Sequence, residues 1–243
     1  MRRVVSLYKS SVGKKILMAV TGLFLFLFVL GHMAGNLKML QGCEAAAPGD
    51  VAAGLSYPGQ VCAMDTYAEF LRDVGYPALP HGALLWGFRI ALLIAVGVHA
   101  VAAFQLWKKS REARGSRYAK EKNLSFSYAS RTMRWGGVIL AAFIVYHILH
   151  FTTGQAHTDY VYGGVHRNFV IAFQNPLVWG AYVVAQAALC FHVYHGVWSA
   201  TQTLGVDNPR IELVRRPAAA AFALLLFVGF LTPPTLVLTG AIG

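Results

Sequence analysis

The chain has 243 residues, of which 56% are hydrophobic and 13% are charged. This is too apolar for a soluble domain, which must keep a polar surface in water, and it favours an integral membrane protein. The formal net charge of +11 could suggest a nucleic-acid-binding protein, but the basic residues alternate with apolar stretches along the chain. We therefore interpret the charge as a feature of membrane topology.

Five apolar stretches are long enough to cross a membrane as helices, since about 20 apolar residues span the hydrocarbon core. They are residues 16–35, 83–107, 135–153, 177–200 and 218–238, which we call spans I to V. The sequence thus predicts an all-α bundle of five transmembrane helices in a single membrane domain. A short amphipathic helix is expected around residues 65–73 of the long connection 36–82. Pro233 and Pro234 are expected to kink or end span V.

The distribution of Lys and Arg predicts the orientation of the bundle. Segment 1–15 carries five of them, the connection 108–134 nine and the connection 210–216 three, which makes 17 of the 21 in the chain. The connection 36–82 has instead two basic and five acidic residues. Because Lys and Arg accumulate in cytoplasmic loops, the N-terminus is predicted to be cytoplasmic and the C-terminus outside. The expected location is the inner (cytoplasmic) membrane of a cell, crossed several times.

Four of the nine histidines lie well inside the spans, namely His32, His99, His147 and His192. Ionisable groups at this depth are costly and usually serve a function. His32 and His147 lie about 24 and 18 Å from the inner ends of spans I and III. His99 and His192 lie about 12 and 9 Å from the inner ends of spans II and IV. The spacing therefore predicts an outer pair, His32 with His147, and an inner pair, His99 with His192.

Two histidine pairs at two depths predict two haem groups, each with two axial histidines. Two neutral imidazoles saturate the iron, which suits electron transfer, and a helix-bundle interior is where such a cofactor lies. His150 and His195 lie three residues after His147 and His192, and spacing alone leaves them as alternative ligands. Four glycines near the candidates could let a macrocycle or another helix approach closely: Gly31, Gly35, Gly97 and Gly196.

Other uses of these histidines are open from the residues alone. Each histidine could instead form an interhelical hydrogen bond, as in a haem-free channel or transporter. A structural zinc site usually draws on closely spaced Cys and His, which these four residues do not provide. A proton relay would need carboxylate partners, and the five spans contain no Asp or Glu.

At the four histidines the chain resembles the cytochrome b subunit of the single-anchor, two-haem succinate dehydrogenases and fumarate reductases. The matching stretches are SLYKSSVGKKILMAVTGLFLFLFVLGHMAGNL, VGVHAVAAFQLW, WGGVILAAFIVYHILHF and CFHVYHGVWSATQTLGV. The resemblance covers nearly the whole chain. It implies that spans I and III hold the distal, outer haem and spans II and IV the proximal, inner haem. It also selects His147 over His150 and His192 over His195 as ligands.

The resemblance further implies the partners and the role of the chain. A flavoprotein subunit would oxidise succinate, and an iron–sulfur subunit would dock on the cytoplasmic face, so this chain would have no dicarboxylate site. Electrons would pass from the iron–sulfur clusters through the inner and then the outer haem to a quinone, expected to be menaquinone. The alternatives are an anchor of a fumarate reductase or of another membrane oxidoreductase. Some fumarate reductases of this type carry a Glu where this chain has Cys190, which favours the succinate-oxidising direction.

Several residues outside the four histidines are candidates for contact with the cofactors. Arg89, in the outer part of span II, could pair with a propionate of the outer haem or simply reach towards water. His81 at the outer entrance to that span could touch a propionate or the quinone, and Arg134 could meet the inner haem or the iron–sulfur subunit. Cys43 and Cys62 lie in the connection predicted to be outside, where disulfides persist, and could be bonded or free.

Overall fold

The computed structural model describes residues 10–113, 128–205 and 208–243. Five long helices account for most of them: α1 (Ser11–Asn36), α3 (Ala83–Glu112), α4 (Tyr128–His147), α6 (Pro176–Thr203) and α7 (Pro209–Leu238). By length and composition each contains a segment able to cross a membrane. The predicted five-helix membrane bundle is therefore confirmed. Most of the predicted basic connection 108–134, namely residues 114–127, lies outside the described residues.

The ends of these helices follow from local sequence signals. The Ser10 side chain accepts a hydrogen bond of 2.9 Å from the backbone N–H of Gly13 at the start of α1. Asn175 and Asn208 cap α6 and α7 in the same way, and each is followed by a proline in the first turn. At the other end of α7, the proline pair does not end the helix, which continues to Leu238. α4 ends in a π-helical turn, Ile148–Thr152.

Large apolar side chains cover the outside of the bundle. All five long helices carry exposed ones; examples are Leu27, Phe104, Val138, Val184 and Leu224, each more than half exposed. In water such a surface would drive aggregation, whereas in a bilayer it contacts lipid tails. The distribution of exposed residues thus agrees with the membrane assignment made from composition.

The short elements gather at the end of the bundle where α1 ends and α6 begins. They are a 3₁₀ helix (Leu37–Gln41), strands β1 (Cys43–Ala45) and β2 (Gln60–Cys62), and helices α2 (Ala63–Asp73) and α5 (Val165–Phe173). Together with their loops, residues 37–82 and 153–175 form what we call the cap. The amphipathic helix expected around residues 65–73 is α2. The antiparallel β-hairpin was not predicted from the sequence.

The cap is held together by a covalent bond and by buried polar contacts. Cys43 and Cys62, directly opposite each other in the hairpin, form a disulfide. Asp65 of α2 is fully buried, and its Oδ1 accepts a 2.9 Å hydrogen bond from the backbone N–H of His166 in the first turn of α5. Burial lowers the pKa of His166, although the Asp65 carboxylate acts in the opposite direction. The hairpin and α2 are thereby joined to α5.

The long helices form two layers that are packed against each other over only part of their surface. α1 packs against α3, and α4 packs against α6. α6 also packs against α1, and α7 covers both through a buried cluster that includes Met33, Val193, Leu226 and Phe230. Among the described residues, α3 and α4 are not a closely packed pair, and neither are α1 and α4 or α3 and α6. The two layers, α1 with α3 and α4 with α6, are therefore joined mainly through α1 and α6.

Candidate functional site

The outer pair lies between the two layers, next to the cap. His32, in the last part of α1, faces His147, the last residue of α4, with ring centroids 5.8 Å apart and ring planes at 79°. The Phe28 ring stacks on His32 at 5.3 Å, and the Phe143 ring contacts His147 at 5.8 Å. Aromatic side chains one turn away thus enclose both imidazoles.

The inner pair lies between the same two layers, further from the cap. His99 of α3 faces His192 of α6, with ring centroids 6.1 Å apart and ring planes at 59°. His99 contacts α1 at Thr21, which lies 11 residues before His32 in the sequence. At the rise of an α-helix these 11 residues correspond to about 16 Å. The structure thus brings the histidines together in the two pairs, and at two levels, that the spacing argument predicts.

Each pair joins two helices that are not otherwise packed closely against each other. The outer pair connects α1 with α4, and the inner pair connects α3 with α6. An interhelical contact made only by packing would place small or apolar side chains at a close approach of the backbones. Here imidazoles approach each other from helices that stay apart, which is the arrangement expected for ligands that share a group between them.

The distances within the pairs fit a metal ion held between two imidazoles. A histidine nitrogen binds a transition metal at about 2 Å, and the ring centre is roughly 1 Å further away, so the centroids on opposite sides lie roughly 6 Å apart. The observed separations are 5.8 and 6.1 Å. A Cβ added at three of the glycines near these histidines, Gly31, Gly97 or Gly196, would meet no atom within 4 Å. The residues present therefore fit two haem groups with axial histidines.

Two other glycines serve close packing instead. A Cβ on Gly35 would lie 2.7 Å from Cε1 of Tyr67, so this glycine lets α2 approach the end of α1. A Cβ on Gly22 would lie 3.1 Å from Cε1 of His99, so Gly22 makes room on α1 for the imidazole of α3. Gly22 was not singled out from the sequence, because it is far from His99 along the chain.

Hydrogen bonds orient one imidazole of each pair. Nδ1 of His99 donates to the carbonyl oxygen of Met18 at 3.1 Å, with Thr21 Oγ1 at 3.2 Å. Because a carbonyl oxygen only accepts, this bond assigns the proton to Nδ1 and leaves Nε2 free to bind a metal. In the outer pair, Nδ1 of His147 lies 3.3 Å from the hydroxyl of Tyr182 on α6. Metal-binding histidines commonly have such a partner on the second ring nitrogen.

The alternative ligands have other contacts. His150 lies 3.0 Å from the Tyr182 hydroxyl through Nδ1, and its ring contacts that of His157 in the cap at 5.0 Å. His195 contacts the ring of Trp198 on its own helix at 5.6 Å. In the described part of the chain, neither residue faces a histidine of another spanning helix. The geometry thus favours His147 over His150 and His192 over His195, as the family resemblance does.

A groove of about 510 Å³ lies beside the outer pair, where the cap meets α6. Its polar lining includes His150, His157, Gln174 and Asn175, and its apolar lining includes Ile171 and Val178. This lining could offer both apolar contact and hydrogen bonds to a small organic ligand. The groove connects with the outer pair through His150 and Tyr182. Sequence reasoning missed it because its residues come from three separate segments.

The residues proposed to contact propionates have other neighbours among the described residues. The Arg89 guanidinium lies over the ring of Trp86 at 5.0 Å from its centroid. His81 pairs with Asp73 at 3.0 Å, and both side chains are about half exposed. Arg134 is exposed near the start of α4, at the end of the bundle opposite the cap.

The chemical capacity of the site follows from its four imidazoles. If an iron were held between two neutral imidazoles, no coordination position would remain open, an arrangement that would suit electron transfer better than oxygen binding. In the five described spanning segments there is no histidine pair other than these two that joins two helices.

Comparisons of the chain with protein-family models, with curated proteins and with solved structures found no match.

Proposed function

We propose that the chain is a di-haem cytochrome b that anchors a succinate dehydrogenase in the membrane. His32 and His147 would bind one haem, and His99 and His192 the other. The observation that carries the proposal is that two histidine pairs, at two levels, join helices that are otherwise not closely packed. The separation within each pair matches two imidazoles on one metal ion.

The competing uses of the histidines have less support. A proton relay needs carboxylates at membrane depth, and none lies in the apolar stretches. A zinc site needs three or four ligands in one place, and each pair supplies two. The described residues contain one group of three potential metal ligands, and it lies in the cap, not at the pairs. A haem of the bis-histidine type, in contrast, takes two protein ligands and lies between facing helices, which is what each pair offers.

The chain would serve as an electron conductor within a larger complex. Bound haem would supply a one-electron carrier at each of the two levels, about 16 Å apart along α1. Basic residues at the helix ends opposite the cap, such as Lys14, Lys108 and Arg134, support docking of an iron–sulfur subunit there, itself bound to the flavoprotein subunit that oxidises succinate. The family resemblance supplies these partners, and the charge pattern agrees with it.

The quinone would bind in the groove beside the outer pair. His150 and Gln174 offer hydrogen bonds to the carbonyl oxygens of a quinone, and Ile171 and Val178 offer apolar contact to its ring. The Tyr182 hydroxyl connects His150 to His147, so the groove is one side chain away from the outer pair. Photoaffinity labelling with an azidoquinone tests this location. We expect labels on residues of the groove, and labels at the opposite end of the bundle would contradict the assignment.

A pyridine haemochrome assay of the purified protein tests the ligand assignment. We expect about two b haems per chain, and about one after any single replacement of His32, His99, His147 or His192 by Ala. The neighbouring histidines provide matched controls, so His150→Ala and His195→Ala should keep both haems. Full haem content in all four ligand variants, or less than one haem in the wild-type protein, would overturn the proposal.

Co-purification identifies the complex. A flavoprotein and an iron–sulfur protein that together oxidise succinate and reduce a menaquinone analogue would establish the succinate dehydrogenase. Net fumarate reduction by quinol in the native membranes would instead assign the chain to a fumarate reductase. Different soluble partners would assign it to another membrane oxidoreductase.

A further inference from the structure

The cap contains a group of three potential metal ligands that the proposed electron-transfer role does not use. The Sγ atoms of Cys43 and Cys62 and a ring nitrogen of His166 all lie within 4.8 Å of one another. Cys62 and His166 are buried, and Cys43 is partly exposed. The two sulfur atoms are joined as a disulfide, so the group has one sulfur–sulfur bond and one imidazole beside it.

One ring nitrogen of His166 lacks the hydrogen bond that usually accompanies burial. The residue has a relative exposure of 3%, and its Nδ1 has no hydrogen-bond partner among the described residues. A buried polar atom without a partner has lost its hydrogen bonds to water, which is unfavourable and therefore needs an explanation. Oδ2 of the neighbouring Asp65 is also buried without a partner in the described part of the chain. Two unpartnered polar atoms thus belong to two residues of the cap that contact each other, Asp65 and His166.

The three ligand residues are held in place by contacts that do not depend on the disulfide. Cys43 and Cys62 are directly opposite in the β1–β2 ladder. His166 is held by the bond from its backbone N–H to Asp65, and the next residue donates from its backbone N–H to Ser56 Oγ at 3.0 Å. Reduction of the disulfide would therefore leave two thiols and an imidazole close together in a partly enclosed place.

We propose that the reduced cap binds one Zn²⁺ ion through Cys43, Cys62 and His166, so that the cap has a disulfide state and a zinc state that exclude each other. A dithiol reductant would attack the partly exposed Cys43 sulfur and then leave as its own cyclic disulfide, which gives two cysteine thiols. Zinc binding then releases the two thiol protons. Two thiolates and one imidazole are typical zinc ligands, and water would take the fourth tetrahedral position.

The two states tie different parts of the cap together. The disulfide joins only β1 and β2, whereas zinc would also tie both strands to α5 through His166. α5 packs against α2 in the cap and against α6 and α7, close to the outer histidine pair. Zinc would thus hold the hairpin on the bundle more tightly than the disulfide does. This inference does not depend on haem binding, and its failure would leave the proposed function untouched.

Zinc titration of the purified full-length protein in detergent tests the proposal. One sample is reduced with dithiothreitol without oxygen and desalted, and an equal sample is kept oxidised. After addition of ZnCl₂ and a second desalting, zinc is counted by mass spectrometry. We expect about one zinc per chain in the reduced sample and none in the oxidised one. X-ray absorption at the zinc edge should show about two sulfur and one imidazole ligands at roughly 2.3 and 2.0 Å.

A pair of histidine variants separates a specific site from general binding. His166→Ala should weaken zinc binding by roughly ten-fold or more, because even the indirect partners of a metal ligand contribute 10- to 100-fold. His81→Ala, which alters an exposed histidine of the same cap paired with Asp73, should bind zinc like the wild type. The midpoint of thermal unfolding in detergent, measured in parallel, shows whether each variant is folded.

Three results would overturn the proposal. The first is equal zinc in oxidised and reduced protein. The second is no zinc in reduced protein whose two free thiols have been counted by alkylation. The third is unchanged zinc affinity in His166→Ala or, if that variant does not fold, an absorption spectrum of the wild-type protein without an imidazole ligand.

Discussion

The hydroxyl group of Tyr182 lies 3.3 Å from Nδ1 of His147 and so connects α6 to the outer histidine pair. The same oxygen lies 3.0 Å from Nδ1 of His150. One phenol thus contacts two histidines that are three residues apart, one at the end of α4 and one in the π-helical turn that follows it. It orients the proposed ligand and links it to the groove in which we place the quinone.

Replacement of Tyr182 by Phe should lower the affinity of the outer histidine pair for haem without affecting the inner pair. The change keeps the ring, which packs against Phe143 and Phe173, and removes only the hydrogen-bonding oxygen. Loss of such a partner typically lowers metal affinity by roughly 10- to 100-fold. Redox titration of the haem α bands distinguishes the two haems and so measures the occupancy of each site separately. Tyr146→Phe is the matched control, since Tyr146 stacks on His150 at 5.1 Å. Equal effects of both changes would contradict this role of Tyr182.

A side chain at Gly22 should displace His99 and impair the inner site. In Gly22→Val, Cβ would lie 3.1 Å from Cε1 of His99, and the additional methyl groups would come closer still. Such overpacking typically costs about 1–3 kcal/mol. Haem analysis should show loss of the inner haem with the outer one retained. Gly137→Val in α4 is the control, because a Cβ there meets no atom within 4 Å. Normal inner haem in Gly22→Val would show that α1 does not restrict His99.

The packing of α1 against α7 should fail when Gly229 gains a side chain. A Cβ there would overlap with Met33, whose Cγ is 2.8 Å away. Met33 is buried in the cluster that joins α1, α6 and α7, so it cannot move freely towards solvent. Gly229→Ala should lower the free energy of unfolding by about 1–3 kcal/mol, measured as a lower midpoint of thermal unfolding in detergent. Gly180→Ala, where no atom lies within 4 Å of the added Cβ, should unfold like the wild type.

The buried carboxylate of Asp65 should stabilise the cap. Asp65→Ala leaves the backbone N–H of His166 buried without its acceptor, which typically costs about 1–3 kcal/mol. Asp65→Asn keeps an oxygen that can accept this bond and should be less destabilised. Limited proteolysis of the cap under non-reducing conditions measures the difference. Identical cleavage rates for the two variants would show that the hydrogen bond to α5 contributes little.

The sequence by itself determined the five spanning helices and the existence of histidines at two depths. Both features are local: apolar length specifies a span, and residue number along a helix specifies depth, because the rise per residue is constant. The pairing of His32 with His147 and of His99 with His192 could be predicted from the sequence for the same reason.

Only the tertiary structure decided how the helices are rotated and which ones adjoin. The bond from His99 to the Met18 carbonyl, the space at Gly22 and the contact of Tyr182 with two histidines all join distant segments. The sequence likewise left open whether Cys43 and Cys62 are bonded, because the β-hairpin that brings them together has strands of three residues each. Such short elements give no periodic signal, and their stability comes from packing on the bundle, which no local pattern encodes.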